Sequence, residues 1–108
     1  MEGSQIRLAE LHNVSIRSRV EIIASILSEA RLSSAGLRKT KIMYRCNLGF
    51  RQLKSYLLLL IEKKFLRIVV ATEGKMKVET YHITKEGLAF LKCYNELKSC
   101  LNEERLTR

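Results

Sequence analysis

KTKIMYRCNLGFRQLKSYLLLLIEKKFLRIVVATEGKMKVETYHI, residues 39–83, is the stretch whose reading decides how this chain folds. Its first part, Lys39 to Arg45, reads as a short helix. Cys46-Asn47-Leu48-Gly49 follows as a tight connection, because Asn tolerates a left-handed backbone and Gly needs no side-chain clearance. Phe50 to Lys64 then reads as a longer helix with Leu53, Tyr56, Leu57, Leu60 and Ile61 on its inward stripe. The outward face of its first two turns carries Arg51, Gln52, Lys54 and Ser55. Next, Leu66 to Ala71 is rich in β-branched residues. From Lys77 to Ile83 the pattern alternates, with Tyr81 and Ile83 on one side and His82 on the other. With Thr72-Glu73-Gly74-Lys75-Met76 between them, the two runs form a β-hairpin.

Working outward, Ser18-Arg19-Val20-Glu21 is a capping box, and the helix it opens runs to about Arg31. Val20, Ile23, Ala24, Leu27 and Ala30 share one face, which Ile22 and Ile26 widen to more than half the circumference. So wide an apolar face is expected at the centre of the fold or against another subunit. Leu32 to Gly36 reads as a loop, and Thr40 is the expected N-cap of the short helix. Residues 1–17 have only weak periodicity (Ile6, Leu8, Leu11, Val14), which leaves open a short helix or an arm. On the other side, Thr84 caps a last helix with Glu86 in its first turn. Phe90, Tyr94, Leu97 and Leu101 are spaced four, three and four apart, a short coiled-coil seam suited to a homodimer interface. Leu88 and Leu91 lie off that seam and are expected to pack on the chain's own domain.

The expected fold is therefore mainly α with a β-hairpin, an α+β winged helix-turn-helix over residues 18–84. It is preceded by the 1–17 segment and followed by a dimerisation helix over 85–108.

The charge follows this organisation. Residues 38–77 hold eleven basic and two acidic side chains, the whole of the net +9, while both flanks balance to zero. A concentrated cationic surface implies a polyanion, most simply a nucleic acid backbone. Other classes fit poorly. The longest apolar run, Tyr56 to Ile61, is six residues, against the roughly 18 a membrane span needs. Cys46, Cys93 and Cys100 are an odd number without a Cys-x-x-Cys pair, which argues against a metal site or a disulfide framework. His12 and His82 lie near no nucleophile, metal or phosphate-loop pattern, so no enzyme and no cofactor are expected. No membrane partner or small-molecule ligand is evident. The Met-Glu-Gly-Ser start lacks the features of a signal peptide, so a cytoplasmic, nucleoid-associated protein is expected.

A helix-turn-helix docks its second helix in the DNA major groove. Arg51 and Gln52 have the chemistry for base edges, and Lys54 and Ser55 suit either bases or backbone. Lys39, Lys41, Arg45, Lys75 and Lys77 are the candidate phosphate contacts. Duplex RNA fits less well, because its deep, narrow major groove excludes a helix. A single-strand platform is missing if Tyr56, Tyr81 and Phe50 all point inward, as expected. Sequence-specific regulator is favoured over architectural chromatin protein. A protein-interaction module would instead use Leu58 and Leu59 as an exposed patch.

Lys39-Thr40-Lys41-Ile42-Met43-Tyr44, then Asn47-Leu48, Tyr56 and Tyr81-His82-Ile83-Thr84-Lys85-Glu86-Gly87, resemble the small archaeal winged-helix DNA-binding proteins. The resemblance runs from Ser18 to Leu101. It implies a basic dimer whose C-terminal helices pair as an antiparallel coiled coil. The last helix is shorter here than the long rod of the best-known members. The residues at the front of the second helix are individual to this chain, which leaves the operator open.

Overall fold

A computed structural model describes residues 18–106, with side chains as far as Leu101. The expected N-terminal arm or helix over 1–17 lies outside these residues. The described elements are α1 (Arg19–Arg31), α2 (Lys39–Cys46), α3 (Phe50–Glu62), β1 (Leu66–Glu73), β2 (Met76–Ile83) and α4 (Lys85–Leu106).

α1 starts as its sequence requires. Ser18 Oγ accepts from the Glu21 amide at 3.1 Å, and Glu21 Oε1 accepts from the Ser18 amide at 3.0 Å. Ile22, Ala24, Ile26, Leu27 and Ala30 are buried, and the helix packs against α2, α4 and β2. The wide apolar face thus sits at the centre of the fold. Val20, expected on that face, is 47% exposed because it occupies the first turn, at the end of the packed surface.

α2 begins at Lys39 as its sequence suggests, but its N-cap lies two residues before the expected Thr40. Leu37 forms an isolated antiparallel bridge with Tyr81, the two amides donating to the opposite carbonyls at 3.0 and 2.7 Å. That bridge holds the chain extended through Arg38, which becomes the N-cap with no side-chain hydrogen bond. Thr40, expected as the cap, therefore lies inside the first turn. α2 ends at Asn47, whose φ of 56° is the left-handed conformation, and the Leu48 amide donates back to the Met43 carbonyl at 3.0 Å. Leu48 is buried, so the turn is pinned from below. Gly49 needs no conformational freedom here. It is the extended N-cap of α3, and nothing lies within 4 Å of where its Cβ would stand.

Leu53, Leu57 and Leu60 of α3 are buried, with Tyr56 and Ile61 packed against the core. Phe50, expected inside, is 65% exposed, because the first turn of α3 overhangs the edge of the core. α3 stops at Glu62, two residues short of the expected end, in a Schellman arrangement. The Phe65 amide reaches the Leu60 carbonyl at 2.8 Å and the Lys64 amide the Ile61 carbonyl at 3.0 Å. Lys64 takes a φ of 66° to make that turn.

The hairpin is paired without a break from Leu66↔Ile83 to Glu73↔Met76, leaving only Gly74 and Lys75 as the loop. The expected five-residue turn is thus tightened. Gly74 at φ 63° supplies the positive angle a two-residue hairpin needs at its first loop position.

Thr84 ties the hairpin to α4. Its Oγ1 donates to the Lys64 carbonyl at 2.6 Å and accepts from the Gly87 amide at 3.0 Å. Leu91 is buried and the Phe65 and Phe90 rings stand 5.1 Å apart. Leu88, expected to pack on the domain, is 42% exposed, at the edge of the packed face beside Arg31. No described helix is long and apolar enough to cross a membrane.

Candidate nucleic-acid interface

The cationic side chains distribute over α2, α3 and the hairpin, and the fold brings some of them together. Lys39, at the start of α2, and Lys54, one turn into α3, line a single cleft whose far wall is Ile68 of β1. Lys39 also meets Arg38, Lys77, Val70 and Met76 in the adjoining hollow between α2 and the hairpin tip. Lys39, Lys54 and Lys77 therefore converge on one edge of the molecule, between the two helices and the wing. Lys75 is exposed in the two-residue loop at the end of that wing. Arg51 and Ser55 are exposed on α3, on the face turned away from Leu53 and Leu57.

Two candidates stand apart from this edge. Arg45 Nη1 lies 3.3 Å from Glu29 Oε1 of α1, with Cys46, Tyr94 and Lys98 in the same crevice. Lys41, one helical turn before Arg45, shares its stripe, and lines a shallow hollow with Ser33, Gly36 and Arg38. Gln52 is exposed, but its Oε1 accepts from the Gly49 amide at 3.3 Å and so caps α3. Reading adenine in a bidentate manner takes both the oxygen and the nitrogen of that amide, so base contact would share that oxygen with the cap or release it.

Two residues escaped the sequence reading. Arg38 pairs with Glu73 at 3.5 Å, both side chains more than half exposed, a contact worth little in water and open to exchange for phosphate. Its adjacency to Lys39 was the available signal. Tyr44 is 88% exposed on α2, between Lys41 and Arg45 along the chain. Tyr81 by contrast is buried. Burial, and then the nearby Glu79 carboxylate, raise its pKa above the ordinary 10.0, so it stays protonated and neutral inside the domain.

Along the expected dimer seam, Phe90 and Tyr94 are half-buried against the chain's own core, while Leu97 and Leu101 are 61% and 55% exposed. Cys93 and Cys100 are exposed and Cys46 is buried. Among the described residues no three His, Cys, Asp or Glu side chains cluster as metal ligands.

A helix pair joined by an Asn-centred turn, followed by a hairpin folded back over the second helix, defines a winged helix-turn-helix protein. The chain belongs to the winged helix-turn-helix family, whose sequence model matches residues 16–102. Solved structures agree on the architecture. Sso10a-2, a DNA-binding protein from Sulfolobus solfataricus, aligns with a TM-score of 0.64 at 22% identity, over 84% of this chain and 88% of that one. A Staphylococcus aureus MepR mutant bound to an oligodeoxyribonucleotide gives 0.69 at 14% identity, over 99% and 75% of the two chains. The transcriptional regulator PcaV from Streptomyces coelicolor, in complex with its natural ligand, gives 0.69 at 18% identity, over 97% and 75%. At these identities the likeness shows a common fold. No curated protein matches the sequence.

Proposed function

We propose that this protein binds double-stranded DNA as a homodimer and acts as a transcriptional regulator in the cytoplasm, associated with the nucleoid. The observation that carries the reading is the meeting of Lys39, Lys54 and Lys77 along one edge, beside the exposed outward face of α3. In this reading α3 enters the major groove, with Arg51 and Ser55 toward base edges. Lys39, Lys54, Lys75 and Lys77 take phosphates, Arg38 joins them on release from Glu73, and Lys41, Tyr44 and Arg45 reach the backbone on the outer side of α2. Residues 18–84 form the DNA-binding unit, and α4 supplies the dimer contact through Leu97 and Leu101. Two similar solved proteins are named as DNA-binding or DNA-bound and a third as a transcriptional regulator, which supports the assignment.

Electrostatic docking sets a clear expectation. Affinity for a duplex, followed by fluorescence anisotropy over a range of salt, should fall with a slope of about −0.9 per phosphate neutralised on logarithmic axes. A flat dependence would remove the phosphate-contact roles. One observation favours the architectural alternative. With the Gln52 oxygen engaged in capping, Arg51 is left as the main bidentate reader, and a short reading set suits a protein that recognises DNA by shape and charge. Selection from a random DNA pool separates the two, since a sharp motif means a regulator and a featureless pool an architectural protein.

A further inference from the structure

β1 is the edge strand of the hairpin, and its outer side is unpaired. Tyr81 commits both its amide and its carbonyl to Leu37, so the Ile68↔Tyr81 pair exchanges no bonds across the hairpin. Antiparallel ladders alternate, so Ile68, Val70 and Thr72 turn their N–H and C=O groups away from β2. Among the described residues no backbone bond reaches that side of the strand. Edges are commonly blunted by a proline, a bulge or a short length. Here the chain has no proline, and β1 runs for eight residues in an unbroken ladder. Ile68 and Val70 stand 40% and 57% exposed. The strand's two charges, Arg67 and Glu73, are of opposite sign and lie near opposite ends.

We propose that β1 pairs with β1 of a second copy, antiparallel about a two-fold axis at Val70. In that register Val70 meets the partner's Val70 and Ile68 meets the partner's Thr72. The outward amides and carbonyls of Ile68, Val70 and Thr72 then all find mates. The same register sets Arg67 opposite the partner's Glu73, and symmetry forms that ion pair twice. Sliding the strand by two residues either way loses both. This complementarity of the strand with itself selects a second copy over an unrelated extended peptide. So short a pairing buries little surface and holds alone only near about 1 mM. It acts where copies are already neighbours, as on one duplex, where effective concentrations reach the millimolar range. Glu73 is held by Arg38 at 3.5 Å, and pairing moves it to the partner's Arg67. Arg38 is then free for phosphate, so pairing and duplex binding favour each other, and neighbouring dimers join along DNA. That coupling rests on the proposed function, whereas the pairing does not.

Amide exchange of the full chain, followed residue by residue by NMR, tests the pairing without DNA. The salt is set at roughly 0.15 M, where repulsion between like-charged copies is screened beyond about 8 Å. Raising the protein from about 0.05 to about 2 mM should slow exchange at Ile68, Val70 and Thr72 about two- to threefold. Arg67, Val69 and Ala71, already bonded to β2, should change little. Arg67→Glu should abolish the concentration effect, and Arg67→Glu/Glu73→Arg should restore it, because the swap re-forms both ion pairs. Val70→Pro removes a donor that β2 does not use, so it should abolish the effect with the hairpin's own ladder intact. Exchange independent of concentration overturns the pairing. Slowing that survives Arg67→Glu, or that the double swap fails to restore, overturns it too. The expected slowing in a protein that holds no duplex leaves the pairing standing and removes the DNA reading. Duplex binding with no slowing along the edge does the reverse.

Discussion

Gly87 lies in the first turn of α4, where a Cβ would run into the backbone carbonyl of Phe65 and come within 2.8 Å of Ile83 Cγ1. Two effects compete in Gly87→Ala. Helix propensity favours Ala by roughly 1 kcal/mol, whereas the overpacked contact costs about 1–3 kcal/mol because a carbonyl fixed by Thr84 cannot swing aside. The clash is larger, so the urea midpoint should fall, and a rise would mean α4 tilts freely. Roles on the proposed DNA edge divide at this same scale. Arg51→Ala should relax base preference at one position by about 1–3 kcal/mol, while Lys75→Ala should weaken all duplexes alike. Binding-site selection with each variant tests this, and equal loss without changed preference would cancel the division. What the sequence revealed about single residues tracks how local their partners are. Ser18 with Glu21 and Thr84 with Gly87 are three apart, and those caps were legible. Arg45 with Glu29 and Gly87 with Phe65 are joined only by the fold, so neither contact could be read from spacing.

Elements were legible wherever periodicity and a stop signal agreed, and blurred where a tertiary contact moved a boundary. The cap of α2 moved from Thr40 to Arg38 because the Leu37–Tyr81 bridge fixes the backbone before Thr40 can cap. The hairpin turn tightened to Gly74-Lys75 because Thr72 and Glu73 find partners across the ladder in Lys77 and Met76. The end of α3 carries a cost that the sequence hides. Lys64 has to adopt φ 66° so that Phe65 can turn back under α4 and stack near Phe90. A left-handed backbone costs a non-glycine residue about 1–2 kcal/mol, and the extra unfolded-state freedom of glycine takes back roughly 0.5–1 kcal/mol of the relief. Lys64→Gly should therefore stabilise the domain by about 0.5–1 kcal/mol, read as a raised denaturation midpoint. Loss of stability would mean that the Lys64 side chain contributes contacts beyond its backbone turn.

At the scale of the whole molecule, with extents of 58 × 33 × 21 Å, part of the cationic middle gathers on one edge, where Lys39, Lys54 and Lys77 meet. The confinement of charge was plain in the sequence. Which cations meet was not, because Lys39, Lys54 and Lys77 come together only when α2, α3 and the wing close on one another. The longest element is α4, whose 22 residues span about 33 Å at 1.5 Å each. Its first half packs on α1 through Leu91 and Tyr94, and its second half carries Leu97 and Leu101 exposed. Fully burying an exposed leucine stabilises by about 1.5–3 kcal/mol, and Leu97 and Leu101, just over half exposed, would contribute part of that from each copy to the proposed two-fold contact. Replacing both by serine removes that gain without altering the chain's charge. The double variant Leu97→Ser/Leu101→Ser should sediment as a monomer with unchanged helix content, whereas the unmodified protein, on the proposed reading, should sediment as a dimer. Its salt dependence for duplex binding should then drop to about half the unmodified slope, since one cationic edge and not two releases counterions. A monomeric unmodified protein would refute α4 pairing. A monomeric variant that keeps the full slope would mean that a single edge makes every phosphate contact, and the second copy adds nothing to the hold on DNA.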